Sequence, residues 1–219
     1  MPMRQPEPRT SDILLAFLAG DGPDAPASPT GVPADRVSIG MLIDGMGERA
    51  YGLLMLLCAL PNCVPGPPGV STVTGMPILL FAFQMLLGSP RPWLPRFLRD
   101  RSFARSDMLT MVNKALPYMR RVERVAKPRL PGMVAGLAER VAGAVVLFLS
   151  VILVLPVPLG NLFPAVAIAI MAIALLERDG LVMLIGYVAA AASTVVAATS
   201  IYVVVKLIIL GIRHFFLGE

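Results

Sequence analysis

Charge is what this chain lacks. Asp, Glu, Lys and Arg make up 15% of its 219 residues, where soluble domains carry about a quarter. With 56% of residues hydrophobic and a mean hydropathy of +0.75, so little charge excludes an ordinary soluble domain. The chain reads as an integral membrane protein. Aromatic residues are scarce too, at 6%, so the apolar content is mostly Leu, Val, Ala, Ile and Met. Cysteine is limited to Cys58 and Cys63, and histidine to His214. No histidine or acidic residue stands close enough to either cysteine to complete a metal-ligand pattern. Both cysteines read as small buried hydrophobes, poorly placed for a disulfide. His214, beside Arg213, reads as an interfacial side chain. There is no phosphate-binding loop, no Ser-His-Asp set and no paired-acid pattern of the glycosyltransferase kind. The expectation is therefore a protein that is not an enzyme and holds no cofactor or metal. No apolar segment with a small-residue cleavage site follows Met1 to Thr10, so no signal peptide is expected.

The charge that is present is unevenly placed. Lys and Arg number 19 against 14 Asp and Glu, and eleven of the 19 lie between Arg91 and Arg129. In a membrane protein such a cluster marks a cytoplasmic segment and does not call for nucleic acid. Trp93 within Pro90–Pro95 suits the headgroup layer. Ser106 or Asp107 can cap a helix with Leu109, Val112, Ala115, Leu116 and Met119 on one face and Lys114, Arg120, Arg121 and Arg124 on the other. Arg91, Arg96, Arg120 and Arg121 are the residues expected to meet anionic lipid headgroups.

Two stretches of the chain match each other 91 positions apart. Gly45, Glu48, Arg49, Gly52, Leu56, Pro65, Pro67 and Gly69 recur as Gly136, Glu139, Arg140, Gly143, Leu147, Pro156, Pro158 and Gly160, eight identities in 25 ungapped positions. Each copy runs from a charged pair through an apolar run to a Pro-x-Pro-x-Gly break. Duplicated broken helices of this kind are a transporter device.

The repeat organises the chain. Residues 1–37 hold a short amphipathic helix after Ser11, with Ile13, Leu14, Phe17 and Leu18 on one face, and a Pro-rich linker from Asp21 to Asp35. Residues 38–89 form the first copy, opened by an amphipathic helix that Ser38 caps. Residues 90–130 are the basic connector, 131–180 the second copy, and 181–219 an apolar tail. The tail is long enough for one tilted span, or for two short helices meeting near Ala197 to Ser200.

Length then bears on topology. Ala50 to Leu60 gives a helix of roughly 17 Å, and Met76 to Leu87, with Pro77 in its first turn, one of roughly 18 Å. A hydrocarbon core is about 30 Å thick. In the second copy, Val141 to Leu155 and Ala165 to Leu176 flank the break at Pro156 to Pro164. The expected fold is all-α and membrane-embedded, with two repeats of short re-entrant or half-spanning hairpins plus interfacial amphipathic helices. Two tilted spans per copy, with the loop outside, is the alternative. If the basic connector is cytoplasmic, both hairpins enter from that side. Short helices with broken ends need neighbours, so a homodimer is expected.

The residues also suggest a family. Gly47-Glu48-Arg49, Gly52-Leu53-Leu54, Ala59-Leu60-Pro61-Asn62, Pro65-Gly66-Pro67-Pro68-Gly69-Val70-Ser71-Thr72-Val73 and Gly75 resemble the signature of the ExoD family of bacterial exopolysaccharide-synthesis membrane proteins. Leu87-Gly88 and Arg91-Pro92-Trp93-Leu94-Pro95 extend the likeness, as does Val37-Ser38-Ile39-Gly40 before Asp44-Gly45. The resemblance implies the bacterial inner membrane and a link to exopolysaccharide production and, in symbiotic relatives, to host invasion and alkali sensitivity. It implies no catalytic mechanism and no cofactor. Proteins of exopolysaccharide synthesis or export become candidate partners.

Four features are candidate sites. Glu48-Arg49 and Glu139-Arg140, at the hairpin mouths, suit a charged substrate or proton transfer; a salt-bridged pair that sets helix depth is the plainer alternative. The breaks at Pro65, Pro67 and Gly69 and at Pro156, Pro158 and Gly160 free backbone groups that bind ions, with Asn62 and Asn161 as side-chain ligands; simple chain reversal is the alternative. The basic connector suits a lipid-linked sugar phosphate or plain lipid anchoring. Asp44, on a helix entering the membrane, is a candidate general base without a second acid. Transporter-like handling of an ion or a lipid-linked substrate is the leading expectation, and a non-catalytic scaffold or regulator is the alternative.

Overall fold

The computed structural model describes residues 36–47, 49–63, 70–104, 130–154 and 161–217, with scattered positions at 12, 15 and between 106 and 120. Strand β1 (Arg36–Ser38) leads into α1 (Ile39–Met46), where the Ser38 hydroxyl accepts the Met41 amide at 3.2 Å as an N-cap. Gly47, at φ 57°, turns the chain into α2 (Arg49–Ala59), which tightens into a 3-10 turn, Leu60–Cys63. Helix α3 (Val70–Leu86) completes the first hairpin. One helical turn, Arg96–Arg99, and strand β2 (Ser102–Ala104) follow. The second hairpin is α4 (Leu137–Val154) and α5 (Leu162–Glu177), and α6 (Gly180–Leu217) closes the described chain.

The described chain is helical apart from a small ribbon that sequence reading missed. Strands β1 and β2 pair antiparallel, with Arg36 opposite Ala104 and Ser38 opposite Ser102. Three-residue strands carry too little alternation to register as sheet. The ribbon ties the start of the first hairpin to the connector.

Helix packing crosses between the hairpins. Helix α2 lies against α5 and α3 against α4, while α6 covers the other side of α5. Two glycines make the crossing close. A Cβ at Gly52 would stand 2.6 Å from the Ala172 carbonyl oxygen and 2.7 Å from the Leu176 nitrogen. One at Gly143 would stand 3.2 Å from the Ala82 oxygen and 2.8 Å from the Leu86 nitrogen. Small residues are what let helix backbones approach this closely in apolar surroundings. The core between them holds Tyr51, Met55, Ile78, Met85, Leu149, Leu153, Ile168 and Met171, all essentially buried.

Helix lengths differ from the apolar runs. Helix α3 has 17 residues and starts six positions before the expected Met76, giving about 25 Å. Pro77 is therefore inside the helix, not in its first turn, and leaves the Val73 carbonyl without its helical donor. Ser71, Thr72 and Thr74 lie in the added turns. Their hydroxyls find partners inside the protein, as Thr72 does at the Val154 carbonyl, 3.2 Å away, so a non-apolar stretch still folds as helix. Helix α4 has 18 residues and α5 has 16, or about 27 and 24 Å. Helix α4 and Gly180–Val203 of α6 are long and apolar enough to cross a membrane. The tail is one continuous helix of 38 residues, about 57 Å long and well beyond a hydrocarbon core of about 30 Å.

Large apolar side chains also face outward around the bundle: Val73, Met76, Phe83, Phe148, Phe163, Val188 and Val195. A patch this extensive suits a lipid environment better than water. The amphipathic segment after Ser11 and the linker from 21 to 35 lie outside the described residues, save Asp12 and Leu15. In the connector, Leu109 and Leu116 pack on the core while Asn113 and Arg120 are exposed.

Candidate functional site

The hairpins create two polar zones, one at each end. At the mouth, α2 and α4 begin where α3 and α5 finish. Helix α3 ends in a turn with Gly88 at φ 78° and the Ser89 amide bonded back to the Gln84 carbonyl at 3.1 Å. Helix α5 ends alike, with Arg178 at φ 52° and the Asp179 amide bonded to Ala174 O at 3.0 Å. These are left-handed helix caps. The Arg140 guanidinium lies directly over Gly88, where an added Cβ would meet Nη2 at 2.5 Å. A cation there faces the negative end of α3. Tyr51 is fully buried and sits near Ser89 and Glu139; its hydroxyl reaches toward Ser89 without full hydrogen-bond geometry. Arg49 and Glu139 are both engaged in polar or electrostatic contacts.

Two acids at this end were not singled out from sequence. Glu177 and Asp179 are buried, and each has a polar partner. The Asp179 carboxylate accepts the amides of Leu181 at 2.9 Å and Val182 at 3.4 Å, capping α6. The signal was available: Asp before an apolar periodic run is an N-cap pattern.

At the other end the hairpin tips meet. Asn62, nearly buried, donates to the Cys58 carbonyl at 3.0 Å and to the Thr74 hydroxyl at 2.6 Å. Asn161 donates to the Ser71 hydroxyl at 2.8 Å. Each of the two asparagines proposed as a side-chain ligand thus reaches a hydroxyl on α3. Pro65, Pro67, Gly69, Pro156, Pro158 and Gly160, with Glu48 and Arg121, lie outside the described residues.

Asp44 is engaged outside the bundle. It pairs with Arg99 at 2.6 Å and lies 3.8 Å from Arg91. The Arg99 side chain crosses Gly40 to reach it. Arg91 is thus directed at a carboxylate as well as at the solvent-facing surface, and Arg96 and Arg120 are exposed. Gln84 clamps the Trp93 backbone, accepting from its nitrogen at 2.6 Å and donating to its oxygen at 3.2 Å, so Trp93 projects outward. Both cysteines are free. Among the described residues no three His, Cys, Asp or Glu side chains gather to hold a metal.

A family model described as "Exopolysaccharide synthesis, ExoD" matches residues 29–199. Protein ExoD of Rhizobium meliloti (strain 1021) is 31% identical over 213 residues, 95% of this chain and 83% of that protein. The chain belongs to the ExoD family. Membership implies involvement in exopolysaccharide synthesis. An uncharacterized protein of Synechocystis sp. is also similar, 31% identical over 158 residues, covering 71% of this chain and 74% of that one. No solved structure matches. The ExoD match spans both hairpins and the start of α6, so it takes in the mouth and the tips together.

Proposed function

We propose that this ExoD-family protein serves exopolysaccharide synthesis as a transporter-like protein of the bacterial inner membrane, handling an ion or a lipid-linked substrate between two hairpins of common origin. The matched crossing carries the proposal. Gly52 meets Ala172 and Leu176; Gly143, 91 positions on, meets Ala82 and Leu86, each 90 positions before its counterpart. Copies of one hairpin related by a two-fold axis along their length produce this exchange, with one residue fewer before α5 than before its counterpart α3. Ser71 and Asn161, also 90 apart, meet each other, as residues on such an axis do. Paired broken helices with polar tips and a charged mouth are parts from which transporters build sites.

In this arrangement the hairpins enter from the cytoplasmic side. Helices α3, α4 and α5, of about 24 to 27 Å, reach nearly but not fully across a core of about 30 Å, and α2, with 11 residues, is shorter. Anionic headgroups meet Arg96 and Arg120, a second copy shields the outer helix faces, and proteins of exopolysaccharide synthesis or export dock at the cytoplasmic side. No catalytic step is assigned.

Reconstitution into liposomes with proton- and cation-sensitive dyes tests the transport reading. Flux above that of empty vesicles is expected, and its reduction by Arg49→Ala and Arg140→Ala would tie it to the mouth. If flux is absent at every pH tried and both variants leave polysaccharide output intact in cells, a non-catalytic scaffold or regulator takes its place. The Asp44–Arg99 tie, which braces α1 against the connector, fits that second role.

A further inference from the structure

Helix α6 outruns the bundle it belongs to. Its first half packs on the hairpins. Met183, Ala190, Ser193 and Ala197 are buried, and a Cβ at Gly186 would meet the Met171 side chain at 2.5 Å. Past Ser200 that contact ends. Every side chain described between Ile201 and Leu210 is exposed, and Lys206 alone carries charge in that stretch. A bilayer by itself does not cover it. The bundle shows large apolar side chains at both ends, Leu87 and Leu137 at the mouth and Leu60 and Phe163 at the tips, so its height of about 25 Å belongs in a core of about 30 Å. Leu181 to Leu210 measures about 45 Å. To bring all of it into the core, α6 would tilt by about 50°, beyond the range of about 0 to 40° for membrane helices. The helices fixed against it would tilt too and no longer reach across. The excess apolar surface beyond the tips therefore calls for protein.

The exposed face of α6 has a register that says what kind of protein. Leu181, Val188, Val195, Tyr202 and Ile209 recur every seven residues, and all are exposed, Val188, Val195 and Tyr202 by 69%, 67% and 64%. Leu184, Ala191, Ala198 and Val205 follow the first four at a spacing of three, and these are exposed as well. That is the a/d seam of a two-helix pair. It runs unbroken from the half of α6 beside the bundle to the half beyond it. Ala191 and Ala198, in its middle, let a second backbone approach. A seven-residue seam is met along its length by a helix with the same repeat in a left-handed supercoil, and α6 of a second copy is such a helix. A strip about 10 Å wide along the 38 residues of α6 buries roughly 1,100 Å² over two copies, about what a specific pair needs. Orientation follows from the excess length. Antiparallel copies would send their distal halves to opposite faces of the membrane and leave both uncovered, while parallel copies bring them together.

We infer that two copies of this chain pair in parallel through the α6 seam from Leu181 to Ile209, with the distal halves of their helices standing together beyond the hairpin tips. The inference rests on the bilayer placement given to the hairpins above, and it does not depend on transport.

The test uses the full-length protein in membranes, with Cys58 and Cys63, both free thiols, replaced by alanine. Single cysteines are placed on the seam by Tyr202→Cys and Ile209→Cys, and beside it by Val203→Cys and Leu210→Cys, and are oxidised with copper phenanthroline. A disulfide needs Cβ atoms about 3.5 to 4.5 Å apart, so the seam positions should link two copies and the flanking positions should do so several-fold more slowly. In the purified protein, Val205→Lys should weaken self-association by about tenfold or more, measured by light scattering over a range of concentrations. Val205 lies beyond the contact with the bundle, so the variant keeps the hairpin fold; the cysteine pairs decide the matter if it does not. Equal linking at seam and flanking positions overturns the inference, as does no linking at any of them. A monomeric wild-type protein, a Val205→Lys variant that associates as wild type does, or a different protein recovered on α6 with the seam cysteines unlinked overturns it too. Paired copies without ion flux in liposomes keep the seam and reject transport; flux from a monomer does the reverse.

Discussion

The two hairpins share a backbone plan but not a composition. In the first, α3 presses one face on α4 and turns Val73, Met76, Leu80 and Phe83 outward. In the second, α5 is held between α2 and α6 and is buried along most of its length, including Ala165, Ala167, Ala169, Ala172 and Ala174. A helix with packed neighbours on two sides fills with small residues because only these let backbones approach. A helix with one packed side keeps large residues on the face that no neighbour covers. The number of neighbours, more than position in the hairpin, decides side-chain size here.

The sharpest test of that difference lies in the matched glycines. Gly52→Ala should cost the most, because the new methyl meets two backbone atoms at 2.6 and 2.7 Å in a helix fixed on both sides. About 3 kcal/mol, the upper end for overpacking, is expected as a fall in thermal midpoint and membrane yield. Gly143→Ala should cost less, about 1 to 2 kcal/mol, since its contacts are 2.8 and 3.2 Å and α3 has an open outer side toward which to shift. Equal losses in the two variants would break the comparison. Asn62→Leu comes next. It leaves the Thr74 and Cys58 groups without this donor, at about 1 kcal/mol or somewhat more, read by denaturant or heat. Asp44→Ala should be the mildest, below about 1 kcal/mol, because both partners of the pair are substantially exposed. Its effect should shrink further as salt is raised, and a large salt-independent loss would contradict the exposed-pair description.

Much of the plan is visible along the chain. Ser38 before an apolar stripe marks the start of α1, and the Pro-Gly breaks separate the paired helices. Asn62 and Asn161 are identifiable beside those breaks from spacing alone. Other features are hidden for physical reasons. The first turns of α3 carry Ser71, Thr72 and Thr74, which fall outside the apolar run expected from Met76 because hydroxyls favour turns; they are helical because the other hairpin and Asn62 supply partners. Glu177 and Asp179 stand in sequence only as the polar close of the second hairpin, and the fold buries them. Asp44 reads as an unaccompanied acid until β1 and β2 bring Arg99 across Gly40.

Composition and pattern by themselves determine that this is an apolar, helix-rich chain, that its helices break twice at Pro-Gly segments, and that Gly52 and Gly143 occupy like places. Those properties follow from local rules: hydropathy, proline's missing amide and glycine's missing side chain. Only the tertiary structure decides that each glycine lies under the far helix of the opposite hairpin, and that the tips meet through Asn161 and Ser71, residues 90 apart in sequence. Contacts of that range depend on how two whole helices cross, and no local pattern encodes a crossing.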